Sequence, residues 1–244
     1  NTSRAAAAVS RAAPDGYTLL MVSGASLVLN PLLYKRLTYN PDRDLRTLAL
    51  LTEIPLILVV NPDVPARTLA EFVDYARRTD RLSYASVGIG SPLQLAAEQF
   101  KRASGARMTH VPYRGSTPAL TDLMSGQVQA MFDSVITALP QIQAGTLRAL
   151  AVAADQRLPG LPDVPTVAES GYPNYRASIW FGVAVPKATP DDVARQIGSA
   201  LADTQRDPVY RGRLEAVGYV VHPVRDPAAI AAFLADETAR WRDV

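Results

Sequence analysis

The sequence predicts an α/β protein. Strand-like apolar runs alternate with helix-length segments from end to end, proline and glycine mark the joins, and no fixed-period repeat or low-complexity tract interrupts the pattern. With 244 residues, one large domain or two modest ones can be built.

In chain order, residues 4–13 are Ala-rich and read as a helix, stopped at Pro14-Asp15-Gly16 because proline disfavours helical backbone in the residue before it. Residues 17–22 read as a buried strand, followed by the small-residue loop Ser23-Gly24-Ala25-Ser26 and a short helix over 30–36. Two apolar runs follow at 48–52 and 56–60. Thr68-Leu69-Ala70-Glu71 has the pattern of a capping box, in which hydroxyl and carboxylate each satisfy an orphan amide, and it opens a helix over 68–78. Strands are expected at 82–86, 107–111, 128–132 and 147–153, separated by helix-length segments with short joins, as in a parallel sheet. Three prolines in residues 159–165 make that stretch an extended connection. A strand at 179–185 precedes a mostly helical end, with helices over 190–204, 208–217 and 227–242 and a short strand at 219–221. Each of these helices has proline at its first turn, where a missing N–H removes no bond.

Residues 56–61 and 180–186 are both apolar and extended, and they bracket a self-contained α/β block. The pattern alone leaves two arrangements open. One is a single continuous sheet; the other has two lobes, the first built from both ends of the chain.

Composition excludes several chemistries. Cysteine is absent, which removes disulfides, thiolate metal sites and cysteine nucleophiles. The two histidines, His110 and His222, cannot make a three-histidine metal site. Lys plus Arg is 25 against 23 Asp plus Glu, with no basic block, so a nucleic-acid partner is not expected. The most apolar stretch, 48–60, is broken by Thr52, Glu53 and Pro55 and falls short of the ~20 residues that span a bilayer. The sequence begins Asn1-Thr2-Ser3-Arg4 with no basic and apolar leader, so any secretory signal is expected to be removed or left out.

The best local signal is Tyr84-Ala85-Ser86-Val87-Gly88-Ile89-Gly90-Ser91, a strand running into a glycine-rich turn that opens a helix over 92–103. Glycines allow close backbone approach and a helix start offers unpaired amides, so a carboxylate or phosphate would suit this turn; an ordinary tight turn is the plainer alternative. It completes neither G-x-G-x-x-G nor a P-loop. Val111-Pro112-Tyr113-Arg114-Gly115-Ser116-Thr117 is a second strand-to-helix junction, with Ser116 or Thr117 as the expected N-cap and Arg114 either pairing an anion or simply solvated. Asp133-Ser134 ends a strand where open α/β sheets bind ligands; Asp133 would meet an ammonium or hydroxyl group, or else cap the next helix. Ser23 and Ser26 are the matching candidates after the first strand. No G-x-S-x-G elbow is present, and His110, within an apolar strand, and His222, before Pro223, read as structural.

Taken in order, the motifs Pro14-Asp15-Gly16-Tyr17-Thr18-Leu19-Leu20, Asn30-Pro31-x-Leu33-Tyr34, Tyr84-Ala85-Ser86-x-Gly88-x-Gly90-Ser91, His110-Val111-Pro112-Tyr113-Arg114-Gly115, Gly126-Gln127-Val128, Leu147-Arg148-Ala149-Leu150-Ala151-Val152, Leu161-Pro162-Asp163-Val164-Pro165-Thr166 and Trp180-Phe181-Gly182 resemble the Bug family. These are periplasmic solute-binding receptors of tripartite tricarboxylate transporters, and the resemblance covers nearly the whole chain. It implies a two-lobed periplasmic binding protein of the type II, Venus-flytrap kind, with a ligand cleft between lobes formed by 1–58 with 183–244 and by 59–182. It implies a small carboxylate ligand, a carboxylic acid or amino acid, gripped by backbone amides and delivered to membrane transporter subunits by a monomeric receptor. It implies no enzyme activity, no metal and no cofactor. Carried over by motif, Ala85, Ser86, Gly88, Gly90 and Ser91 would form the second-lobe grip, Ser23 and Ala25 would sit on the first-lobe rim, and Asp133 would lie at the pocket edge. Two departures stand out: Gln94 occupies a position where relatives usually carry histidine, and the family's leading strand, Pro/Gly-rich loop and helix are absent from this sequence. A sensor presenting the ligand to a signalling partner, and an enzyme acting on a phosphorylated small molecule, are the alternative readings.

Overall fold

A computed structural model describes residues 2–242. The chain separates into two compact units, one holding the residues up to Glu53 and from Trp180 onward, the other Ile54–Ile179. These divisions fall a few residues before the 58/59 and 182/183 boundaries expected from sequence. Strands β2 (Leu45–Val60) and β7 (Ser178–Pro186) carry the chain from one unit to the other.

The first unit opens with α1 (Thr2–Val9), β1 (Leu20–Ser23), a π-helical turn (Ala25–Leu29), α2 (Asn30–Leu33) and α3 (Pro41–Asp44). Helix α1 ends sooner than the proline at 14 demands, and the helical turn after β1 begins at Ala25, five residues before the expected start. Strand β1 pairs antiparallel with β7, from Leu20 opposite Ala184 to Ser23 opposite Phe181. Strand β7 lies beside β2, so closely that a Cβ at Gly182 would collide with the Ala49 carbonyl oxygen. The unit closes with α8 (Asp191–Arg206), α9 (Pro208–Glu215), β8 (Val220–Val221) and α10 (Pro227–Arg242). Strand β8 pairs antiparallel with β2 at Thr52 and Glu53. Gln205 of α8 ties these strands together, donating to the carbonyls of Leu50 at 2.8 Å and His222 at 3.0 Å.

The two apolar runs at 48–52 and 56–60 are one continuous strand. Pro55 does not break it, because it falls between the stretch that pairs with β8, ending at Glu53, and the stretch that pairs with β5, starting at Leu56. Neither of these two ladders asks a bond of its missing N–H.

The second unit contains α4 (Leu69–Arg78), β3 (Ser83–Ser86), α5 (Pro92–Ser104), β4 (Thr109–Pro112), α6 (Ser116–Met124), β5 (Ala130–Ser134), α7 (Val135–Gln143) and β6 (Arg148–Val152). The parallel sheet expected from the short joins is only half present. Strand β3 runs parallel to β4 and β5, but the Leu56–Val60 part of β2 is antiparallel to β5 and β6. The sheet is mixed because β2 enters from the other unit against the direction of the local β-α-β units. Helix α4 starts as the capping box requires, with Thr68 Oγ accepting from the Glu71 amide at 3.2 Å and Glu71 accepting from the Arg67 amide at 2.6 Å. Helix α5 buries Leu93, Ala96, Ala97 and Phe100 and ends at Gly105 in left-handed backbone, φ 67°. Phe100 meets Phe132 and Tyr175 edge-on at 5.7 and 6.0 Å, so α5 is anchored to the sheet by an aromatic cluster and its N-terminus is held at the end of β3.

Candidate functional site

Strand β3, between β5 and β4, delivers Ser86 at its carboxyl end, and the turn that follows needs two residues in the left-handed region: Gly88 at φ 119° and Gly90 at φ 74°. Only glycine takes both without strain. Ser91 then caps α5, its hydroxyl accepting from the Gln94 amide at 3.3 Å, and Pro92 occupies the first turn. Helix α5 thus points its N-terminus, with its partial positive charge, at a loop whose backbone is open to close approach.

Ser86 is fully buried beneath this loop. Its Oγ lies 2.6 Å from His110 Nε2 on β4, and it accepts from the Gly88 amide at 3.2 Å. Gln94 reaches back from α5, accepting from the Gly90 amide at 2.5 Å with Oε1 and facing His110 Nδ1 at 3.4 Å with Nε2. The His110 ring stacks on Tyr84, centroids 5.0 Å apart. Tyr84 in turn donates to Glu98 at 2.5 Å, and burial followed by that carboxylate pushes its phenol well above the usual range. Burial lowers the His110 pKa, with Lys101 acting in the same sense and Glu98 against it. Ala85 is fully buried, paired with Val111 on one side and Met131 on the other, so it lies beneath the loop and not on its surface.

The second junction differs from expectation in its cap. Gly115, not Ser116 or Thr117, precedes α6, and Ser116 as first helical residue donates to Asp133 Oδ1 at 3.1 Å. Thr137 donates to the other oxygen of Asp133 at 2.7 Å, so this carboxylate ties the starts of α6 and α7 together. Asp133 is fully buried, and desolvation raises its pKa against those hydrogen bonds. Ser134 caps α7. Tyr113 donates to Asp122 at 2.7 Å, burial and that carboxylate taking its phenol up to about 12. Arg114 is exposed.

In the first unit, Ser23 is buried and exchanges bonds with Ser26: its amide donates to Ser26 Oγ at 2.9 Å, and that hydroxyl donates back to the Ser23 carbonyl at 2.9 Å. Ala25 is half-buried at the start of the π-helical turn. A cavity of about 1030 Å³ lies elsewhere in this unit, between Leu27, Leu48, Ala194 and Leu234, and includes none of the predicted site residues. Among the described residues no cluster of histidine or carboxylate groups could hold a metal ion, and no helix is long and apolar enough to cross a membrane. The sequence brings five of its candidates together in the β3–α5 loop. Two further residues reach this loop: His110, which the sequence reads as structural and which parallel pairing sets directly opposite Tyr84, and Gln94, which it marks only as a departure from the family pattern.

Residues 3–244 match the family model for the tripartite tricarboxylate transporter family receptor. A protein from the tcbD–tcbE intergenic region of Pseudomonas sp. strain P51 is 35% identical over 236 residues, 96% of this chain and 70% of that one. The chain belongs to this receptor family. BugT of Bordetella pertussis is 33% identical over 239 residues, 97% of this chain and 73% of its own length, which places the chain among Bug proteins. Two solved structures from Rhodopseudomonas palustris superpose over 99% of the chain. Rpa4515 with adipate has a TM-score of 0.87, 31% identity and 81% of its own chain covered; MatC with bound malate has 0.81, 34% and 83%. The family has the mixed α/β fold described above, and its members are binding proteins, not enzymes.

Proposed function

We propose that this receptor captures a small organic carboxylate outside the cytoplasmic membrane, as a periplasmic monomer, and delivers it to the membrane subunits of a tripartite transporter. The observation that carries the ligand class is the β3–α5 loop, where left-handed glycines at 88 and 90 lie between the buried Ser86 hydroxyl and the Ser91-capped start of a 13-residue helix. Such a loop offers close backbone approach and the positive potential of a helix start to an anion. The adipate and malate held by Rpa4515 and MatC support a carboxylate over a phosphate. Gly88, Gly90, Ser86 and Ser91 are the proposed contacts in this unit, with Ala85 supporting them from the sheet beneath. Ser23 and Ala25 are the corresponding proposal for the first unit, and Asp133 is proposed to act through Ser116, whose hydroxyl it holds.

The test is a thermal-shift screen of malate, adipate, other mono- and dicarboxylates, amino acids, neutral amides and phosphorylated compounds. A carboxylate at 100-fold its Kd adds ~2.7 kcal/mol, which for a chain of this size raises the midpoint by several degrees at ~2–4 °C per kcal/mol. A shift confined to carboxylates supports the reading; a response to phosphorylated compounds alone, or to none, overturns it. Co-purification of the loaded receptor with the transporter's membrane subunits tests delivery.

A further inference from the structure

Ser86, His110 and Gln94, from β3, β4 and α5, form a run of polar contacts whose direction is fixed at one end. The Gly90 amide donates to Gln94 Oε1, so the Gln94 NH2, a donor only, faces His110 Nδ1. The reversed amide would set NH2 against the Gly90 N–H. A donor facing Nδ1 makes that nitrogen the acceptor, so the neutral ring carries its proton on Nε2 and donates to Ser86 Oγ at 2.6 Å. The Gly88 amide donates to the same oxygen at 3.2 Å. With both lone pairs of Ser86 filled, its own proton is free to donate, and in this structure it meets the Gly88 carbonyl at 3.2 Å, long for an O–H···O bond.

We infer that His110 and Gln94 are positioning residues that commit the Ser86 hydroxyl to donating, so that the glycine loop presents Ser86 as a donor to the oxygen of a bound anion. The inference rests on the carboxylate reading of this loop and goes beyond it by naming what makes the loop selective for an acceptor. The same tautomer denies Ser86 a nucleophilic role, because an Nε2 that already holds a proton cannot take one from the hydroxyl.

A second consequence is a link to ring charge. When His110 takes a proton on Nδ1, it faces the Gln94 NH2, and Gln94 satisfies it only by turning its oxygen away from Gly90. The Gly90 amide is thereby released. The groups facing the ring are Tyr84 on β3 and Glu98 and Lys101 on α5; burial opposes the imidazolium most, the carboxylate favours it, and the ammonium opposes it.

The test needs no ligand. In the intact chain with 15N-labelled histidine, long-range 1H–15N correlations at neutral pH report which ring nitrogen is protonated. The two histidines are told apart by His110→Gln or, if that variant does not fold, by His222→Gln. A proton on Nε2 of His110 is expected; a proton on Nδ1 overturns the inference, since Ser86 would then donate to the ring. Gln94→Met should yield mixed tautomers and exchange of the Gly90 amide on the order of tenfold faster, equivalent to ~1.4 kcal/mol. Unchanged tautomer and protection in that variant overturn it. Titrating the wild type down through the His110 midpoint should cause a similar loss of Gly90 protection, and an indifferent Gly90 overturns the coupling. A chain that ignores malate and adipate would overturn the receptor reading while leaving these readouts intact. The wrong tautomer alongside normal malate binding would overturn only the positioning role.

Discussion

The Trp180 indole N–H donates to Glu237 Oε2 at 3.0 Å, joining the start of the returning strand β7 to helix α10 in the first unit. Trp241 donates to the same oxygen at 3.3 Å, and Arg240 pairs with the other. Glu237 is 3% exposed, so a carboxylate sits in the core under two indoles. The Trp180 ring also closes over Gly24, where a Cβ would lie 3.0 Å from its nitrogen, and so backs the Ser23–Ala25 segment.

Glu237→Ala should therefore destabilise the fold by ~3–5 kcal/mol, the usual cost of removing one partner from a buried charged pair. Glu237→Gln, which keeps an acceptor for the indoles, should lose less. Urea unfolding at constant m-value measures both.

His222 should impose an acid limb on stability. Burial, then Arg225, takes its pKa from 6.5 to about 4, so the folded chain binds this proton less readily than the unfolded one. Its contribution is fully present above 6.5 and is lost as pH falls from 6.5 to about 4, a span worth ~3 kcal/mol. His110, also lowered, acts in the same direction. The difference between wild type and His222→Phe across that window, from urea melts at a series of pH values, isolates the His222 part.

Asp133 should act in the opposite sense. Desolvation raises its pKa in the fold, so it favours folding most when protonated and loses that advantage as pH rises through the raised value. Wild-type stability relative to Asp133→Asn should fall as pH climbs above ~4, the ordinary carboxyl range. A difference that does not change with pH would mean that the Ser116 and Thr137 hydroxyls fully offset burial.

Gly182→Ala should cost ~1–3 kcal/mol by forcing β7 away from the Ala49 carbonyl. Gly198, inside α8 with nothing within 4 Å of the place a methyl group would take, is the control: Gly198→Ala should stabilise by ~0.5–1 kcal/mol through helix propensity. Thermal melts read both changes.

Gly90→Ala strains a left-handed residue, φ 74°, and, on the proposed carboxylate reading, should weaken binding of the carboxylate selected by the thermal-shift screen on the order of tenfold, equivalent to ~1.4 kcal/mol. Gly115→Ala, in extended backbone with open space around it, should leave affinity unchanged. Calorimetric titration compares the two.

Much of this was legible where local chemistry decides. Thr68 and Glu71 announce α4, prolines at 92, 208 and 227 announce three helix starts, and the glycines of the β3–α5 loop announce their own left-handed backbone. What escaped depends on neighbours distant in sequence. Pro55 looked like a break because its harmlessness is set by which strands pair on either side of it. The parallel sheet was overextended because short joins describe β3, β4 and β5 but not the incoming β2. The contact of His110 with Ser86 was not legible because the two lie on different strands, 24 residues apart. Gln94 stood out only as a departure from the family pattern, with nothing local to show that it bridges Gly90 and His110.

Helix α5 divides its labour by face. Leu93, Ala96, Ala97 and Phe100 hold it to the core, while Gln94, Glu98 and Lys101, at helical spacing of four and three, reach the loop, the tyrosine and the histidine from a half-exposed stripe. Drift along that stripe leaves the anchoring residues untouched. Single substitutions at 94, 98 or 101 can therefore retune the acidity and hydrogen-bonding character of the proposed binding loop without disturbing the packing that holds it in place.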